Sequence, residues 1–184
     1  MPFCRVAPVL AALVLAAPVL AEAQAARNYT PADVRFVQGM IQHHGQALDM
    51  TALVSGRSKS SDLSRLGERI TVSQRDEIAM MSSWLRARGE ATTRAELHEG
   101  HVMPGMLSVP QIDSLRAARG DAFDRLFLRY MIQHHEGALT MVKELLATPR
   151  AAQEPQLFNF VSDVDTDQRA EIARMQALLD TIRR

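Results

Sequence analysis

The chain carries the same helix-forming block twice, and this limits its fold more than any other feature. Phe36-Val37-Gln38-Gly39-Met40-Ile41-Gln42-His43-His44-Gly45-Gln46-Ala47-Leu48-Asp49-Met50 is answered by Phe127-Leu128-Arg129-Tyr130-Met131-Ile132-Gln133-His134-His135-Glu136-Gly137-Ala138-Leu139-Thr140-Met141. Met-Ile-Gln-His-His is identical in both, and Ala-Leu-x-Met follows at the same distance. Downstream of each block comes Gln-x-x-Glu-Ile-Ala-x-Met, at Gln74 to Met81 and at Gln168 to Met175. A long period seen only twice is an internal duplication, not a solenoid. Two helical hairpins, each too small to bury its own apolar face, are expected to pack as an all-α four-helix bundle.

End signals place the helices. Thr30-Pro31-Ala32-Asp33 combines an N-cap, a proline at the first helical position and an acid in the first turn. Ser55-Gly56 closes that helix. Ser60-Ser61-Asp62 opens a second, which runs through Trp84 to Gly89. Ser108-Val109-Pro110-Gln111 opens a short helix that ends near Gly120. A third long helix starts near Asp121 and stops before Pro149, and a fourth starts at Pro155. Repeat one spans 30–89, a crossover 90–120, and repeat two 121–184. No segment reads as a strand.

The first residues read as an export signal, 1–23: one positive charge at Arg5, an apolar run from Val6 to Leu20, then Ala21-Glu22-Ala23. Cleavage after Ala25 is the other choice, and an uncleaved anchor is the alternative. The run is short for a membrane span, which needs ~20 apolar residues, and Pro8 and Pro18 interrupt it. The expected mature part, 24–184, has no stable membrane insertion and is periplasmic or secreted. Removing Cys4, the single cysteine, leaves no thiolate ligand, disulfide or nucleophilic thiol. Net charge is zero with no basic face, which argues against nucleic acid. A homo-oligomer stays open.

Metal ligands must then come from His, Met or carboxylate. Residues three and four apart share a helix face. Met40, His43, His44, Ala47 and Met50 form one such stripe, and Met131, His134, His135, Ala138 and Met141 its copy. Gln74, Glu77 and Met81 align with Gln168, Glu171 and Met175. A Met stripe serves equally as core packing, and Glu77 and Glu171 serve either as solvated acids or as supports for a His ring. Adjacent residues point ~100° apart, so one His of each pair is expected to face the axis fully, and the other to bind metal at the rim or hydrogen-bond a carboxylate. The crossover adds His98, His101, Met103 and Met106 around Pro104-Gly105. It is either an ion-binding loop or a linker whose methionines cap the apolar end. Imidazole with thioether suits copper, Cu(I) especially, with zinc as the alternative ion.

These residues resemble the family known as domain of unknown function 305. Its marks are Phe-x-x-x-Met-Ile-x-His-His-x-x-Ala-x-x-Met, the repeat of that motif, and the intervening Met-Pro-Gly-Met. The resemblance implies a ferritin-like four-helix bundle, export in many bacterial members and periplasmic copper binding in a few. By position, His43, His44, His134 and His135 are the signature histidines, with Met40, Met50, Met131 and Met141 beside them. Ferritin-like di-iron sites use Glu-x-x-His, and neither Glu77 nor Glu171 has a His three residues on. The leading expectation is a non-catalytic copper protein for sequestration, delivery or tolerance. The alternatives are a metalloenzyme of unknown substrate and a metal-free interaction module whose His pairs set helix register.

Overall fold

In the computed structural model, residues 28–93 and 103–182 are described. The segment read as an export signal, His98 and His101 lie outside these residues. The helices are α1 (Pro31–Thr51), α2 (Val54–Arg57), α3 (Ser61–Ala87), α4 (Val109–Ala117), α5 (Gly120–Ala147) and α6 (Pro155–Ile182). Among the described residues there is no strand, and no helix is long and apolar enough to cross a membrane.

The starts fall where the caps were read. Thr30 Oγ1 accepts from the Asp33 N–H at 3.2 Å, and Asp33 returns a carboxylate oxygen to the Thr30 N–H at 2.7 Å. Ser60 caps α3 and Ser108 precedes α4. The end of α1 differs slightly: it stops at Thr51, and a single turn, α2, carries the chain through the expected Ser55-Gly56 stop. Thr51 donates its hydroxyl to the Leu48 carbonyl at 3.1 Å and accepts one from Thr71 at 2.8 Å. Side-chain bonds of this kind compete with the helical ladder.

Packing follows the duplication. α1 lies along α3 and α5 along α6, and the two hairpins meet chiefly through α1 and α5. One core cluster joins Phe36, Val37 and Met40 of α1 to Met141, Val142 and Leu145 of α5. The other joins Ala47 and Met50 to Phe123, Phe127 and Met131. The start of α1 therefore packs on the end of α5, and the reverse, so these helices run antiparallel about a pseudo-two-fold axis. The His pairs lie between the two apolar clusters.

Polar ties lock one end. Asp33, fully buried, spends its second oxygen on the Ala152 N–H at 2.7 Å, across to the other hairpin. Trp84 donates its indole N–H to Glu154 at 3.0 Å, and the Arg88 guanidinium stacks 4.1 Å above the Trp84 ring. Asp33→Ala removes a cap, worth about 1 kcal/mol, and strands a buried N–H, at about 1–3 kcal/mol. Urea unfolding is expected to show a loss of about 2–4 kcal/mol with an unchanged m-value; a loss under ~0.5 kcal/mol would mean that the Asp33 contacts are idle.

Candidate metal centre

All four signature histidines are buried, at no more than 1% exposure each. The two histidines of each pair divide as expected, one facing across the bundle and the other bonding a carboxylate. The first of each pair points across the bundle, and the second points at its own hairpin partner. His43 and His134 stack with ring centroids 3.8 Å apart. His44 Nε2 donates to Glu77 Oε2, and His135 Nε2 donates to Glu171 Oε2 at 2.7 Å. Each Glu thus holds a His ring, as its place on the inward stripe allowed. His134 Nε2 donates to the His43 backbone carbonyl at 2.9 Å. His43 Nε2 donates to the Pro104 carbonyl at 3.0 Å.

That last bond fixes the crossover as a strap over the bundle centre. Gly105 adopts φ +75°, and the strap backbone runs directly on α5. A Cβ at Gly137 would fall 2.1 Å from Pro104 O, and one at Gly105 would fall 2.6 Å from Gln133 O. Gln46 clasps the far side: its Oε1 accepts from the Leu107 N–H at 2.7 Å, and its Nε2 donates to the Leu107 carbonyl at 3.1 Å. The repeat itself hinted at this, because Gly137 stands where the first copy has Gln46.

The methionines divide between the two sides. Met40, Met81 and Met141 lie in one cluster with Met103 of the strap packed on it. Met50, Met131 and Met175 lie in the other. Gly39 makes room for two thioethers: a Cβ there would stand 3.3 Å from Met103 Sδ and 3.4 Å from Met141 Cε. Met106 is half-buried in the strap. Asp167, which the motifs did not single out, lies beside the acids. Its carboxyl is pushed above the usual range by burial, then by Glu77 and Glu171. Only its place next to Gln168 in the repeat pointed to it.

Burial dominates the electrostatics. The His43 imidazole is lowered from 6.5 to about 3 by desolvation and then by His44, against the opposing Pro104 bond. His134 is lowered well below its ordinary value by burial and then by His43. Both rings are therefore neutral near pH 7, the state in which imidazole binds metal. Nδ1 of His43, His44 and His135 is buried without a hydrogen-bond partner. Among the described residues no three His, Asp or Glu side chains form a chelating group. A metal held here would need donors beyond these residue types, and the thioethers of Met40, Met141 and Met103 lie in the adjoining apolar cluster.

Fold and site together define a helical bundle of two pseudo-equivalent hairpins with two buried His pairs between methionine-bearing apolar clusters. The chain belongs to the family described as Domain of unknown function (DUF305), which it matches over residues 33–179. It is similar to a solved DUF305 fragment from Deinococcus radiodurans: 32% identity, TM-score 0.73, covering 83% of this chain and 98% of that one. A DUF305 protein from Streptomyces coelicolor, described as a candidate secreted protein, gives 25% identity, TM-score 0.74 and coverage of 82% and 93%. CopM in its Cu(II)-bound form gives 29% identity, TM-score 0.67 and coverage of 81% and 96%. CopM is also solved in Cu(I)- and Ag-bound forms. No curated protein matches the chain.

Two outcomes follow from the geometry. The unfolded imidazole titrates at its ordinary value of 6.5 and folded His43 at about 3, so between these values the unfolded chain binds protons that the folded one does not. Stability is therefore full above pH ~6.5 and falls on acidification, by about 1.4 kcal/mol per pH unit for each such His. Urea midpoints at pH 7.5 and 5.5 check this; His43→Gln is expected to flatten the slope, and a flat profile in the unsubstituted protein would contradict it. Gly137→Ala forces the strap off α5 at a cost of about 1–3 kcal/mol. The Leu107 amide should then exchange with deuterium faster, whereas unchanged exchange would mean that the strap is not seated as described.

Proposed function

We propose that this chain is an exported copper-binding protein that sequesters or delivers the ion, or confers tolerance to it, without catalysing a reaction. The observation that carries this reading is the seating of Met103 and Met141 against Gly39, one helical turn before His43 of the stacked His43–His134 pair. A site built there would combine soft sulfur with neutral imidazole, and no cysteine lies among the described residues, a donor set that favours Cu(I) over Zn(II). The residues that would hold the ion are His43, His44, His134 and His135, with Met40, Met103 and Met141 on the strap side. Bound copper would supply a soft cation to a core rich in unpaired lone pairs. Met106 would extend the ligand set from the strap, and His98 and His101, outside the described residues, are further candidate ligands by sequence alone. Met50, Met131, Met81 and Met175 act first as core, and Glu77 and Glu171 act through the rings that they bond. The copper- and silver-bound forms of CopM support this reading by kinship. The signal-like start of the chain supports export.

One observation favours the metal-free alternative: every Nε2 of the four histidines already has a protein partner. Competition titration with a Cu(I) chelator separates the two. Cu(I) is expected to bind in preference to Zn(II). Met103→Leu with Met141→Leu, a nearly volume-conserving pair, should weaken Cu(I) by at least about tenfold, which is ~1.4 kcal/mol. Replacing His43, His44, His134 and His135 together by Ala should abolish it. Unchanged affinity in both variants would leave the histidines a structural role only.

A further inference from the structure

The bonding of the four imidazoles has a direction. Every Nε2 faces an atom that only accepts: the carbonyl of Pro104, the carbonyl of His43, or a glutamate oxygen. A neutral ring has a single N–H. In a neutral ring so placed, that hydrogen sits on Nε2 and the lone pair on Nδ1. For His44 and His135 the partner is a carboxylate on the neighbouring helix of the same hairpin, at equivalent repeat positions. Both of their Nδ1 atoms are buried and without a donor. One turn from each glutamate, the side-chain oxygens of Gln74 and Gln168 are likewise buried without a donor. Buried polar atoms ordinarily find partners. Unpaired buried acceptors on all four long helices are groups that a cation could satisfy.

We propose that Glu77 and Glu171 are positioning residues that fix His44 and His135 as the Nε2–H tautomer, so that a cation entering the bundle centre meets Nδ1 of these rings. An Nε2 ligand would require breaking two buried His–carboxylate bonds, while Nδ1 requires breaking none. The carboxylates also raise the basicity of the rings through the shared hydrogen, as such partners do behind metal-binding histidines. Serving as ligand supports, they need not touch the ion. The tautomer assignment stands on the metal-free structure; the role of Nδ1 rests on the copper-binding reading above.

Long-range proton–nitrogen NMR of the imidazoles, in the metal-free full protein and then with Cu(I), tests both parts. The metal-free spectrum is expected to show protonated Nε2 and bare Nδ1 in His44 and His135. Added Cu(I) is expected to shift Nδ1 and leave the Nε2–H in place. Glu77→Gln keeps the volume but offers an amide donor, so His44 should gain the Nδ1–H form while His135 stays unchanged; Glu171→Gln should do the reverse. A merely structural role would move stability and leave the tautomers alone. The double variant should lose about 10–100-fold in Cu(I) affinity. Nδ1–H rings in the unsubstituted protein would overturn the assignment, and that spectrum decides the matter even where a variant does not fold. Cu(I) that binds while both Nδ1 signals stay fixed would overturn the Nδ1 role. Failure of Cu(I) to bind at all would overturn that role together with the copper-binding reading, but not the tautomers.

Discussion

His43 is bonded from both ends, and the centre of the bundle is organised around it. Its ring donates to the strap carbonyl of Pro104, its backbone carbonyl accepts from His134, and its face stacks on the His134 ring. One residue thus joins α1, the strap and α5. Such a node is tolerable in a dry core only because the rings are neutral. A charged imidazole there would lack a counter-charge, and burial of an unpaired charge is what a folded chain avoids. The low proton affinity of His43 and His134 therefore accompanies the placement that gives the hairpins their register. The same neutrality leaves lone pairs free for a metal.

The duplication is not a perfect copy, and the differences carry function. Glu77 and Glu171 take the same part in each half. Gly137 and Gln46, at equivalent places, do not: one yields space to the strap and the other grips it. The strap brings Met103 to the cluster of Met40 and Met141, and Leu107 to the cluster of Met50, Met131 and Met175. The first cluster thus gains a further thioether and the second an aliphatic side chain.

The long helices were legible because their starts are written in short-range chemistry. Thr30 with Asp33, Ser60, and Ser108 with Gln111 form caps that need only neighbouring residues. The inward stripes were legible for the same reason, since helical spacing is local, and every residue placed on them is buried. Long-range choices were not legible. Nothing near Asp33 reveals that its second oxygen binds Ala152, and nothing near Pro104 reveals that its carbonyl meets His43. The adjacent histidines were legible in part. A rotation of ~100° between neighbours turns the second His of each pair away from the axis and toward a carboxylate, and the structure supplies Glu77 and Glu171 there from the neighbouring helix of the same hairpin. The split of the methionines depended on the antiparallel meeting of α1 and α5, which a repeat alone does not specify.

The central claim is that copper is held by neutral imidazole and thioether together. X-ray absorption at the copper edge, on the purified protein loaded with one equivalent of Cu(I) and desalted, reads the donor atoms directly. The expected result is a first shell containing both nitrogen and sulfur, with the sulfur contribution reduced when Met103 and Met141 are replaced by leucine. A shell of nitrogen and oxygen alone, or copper lost on desalting, would contradict it.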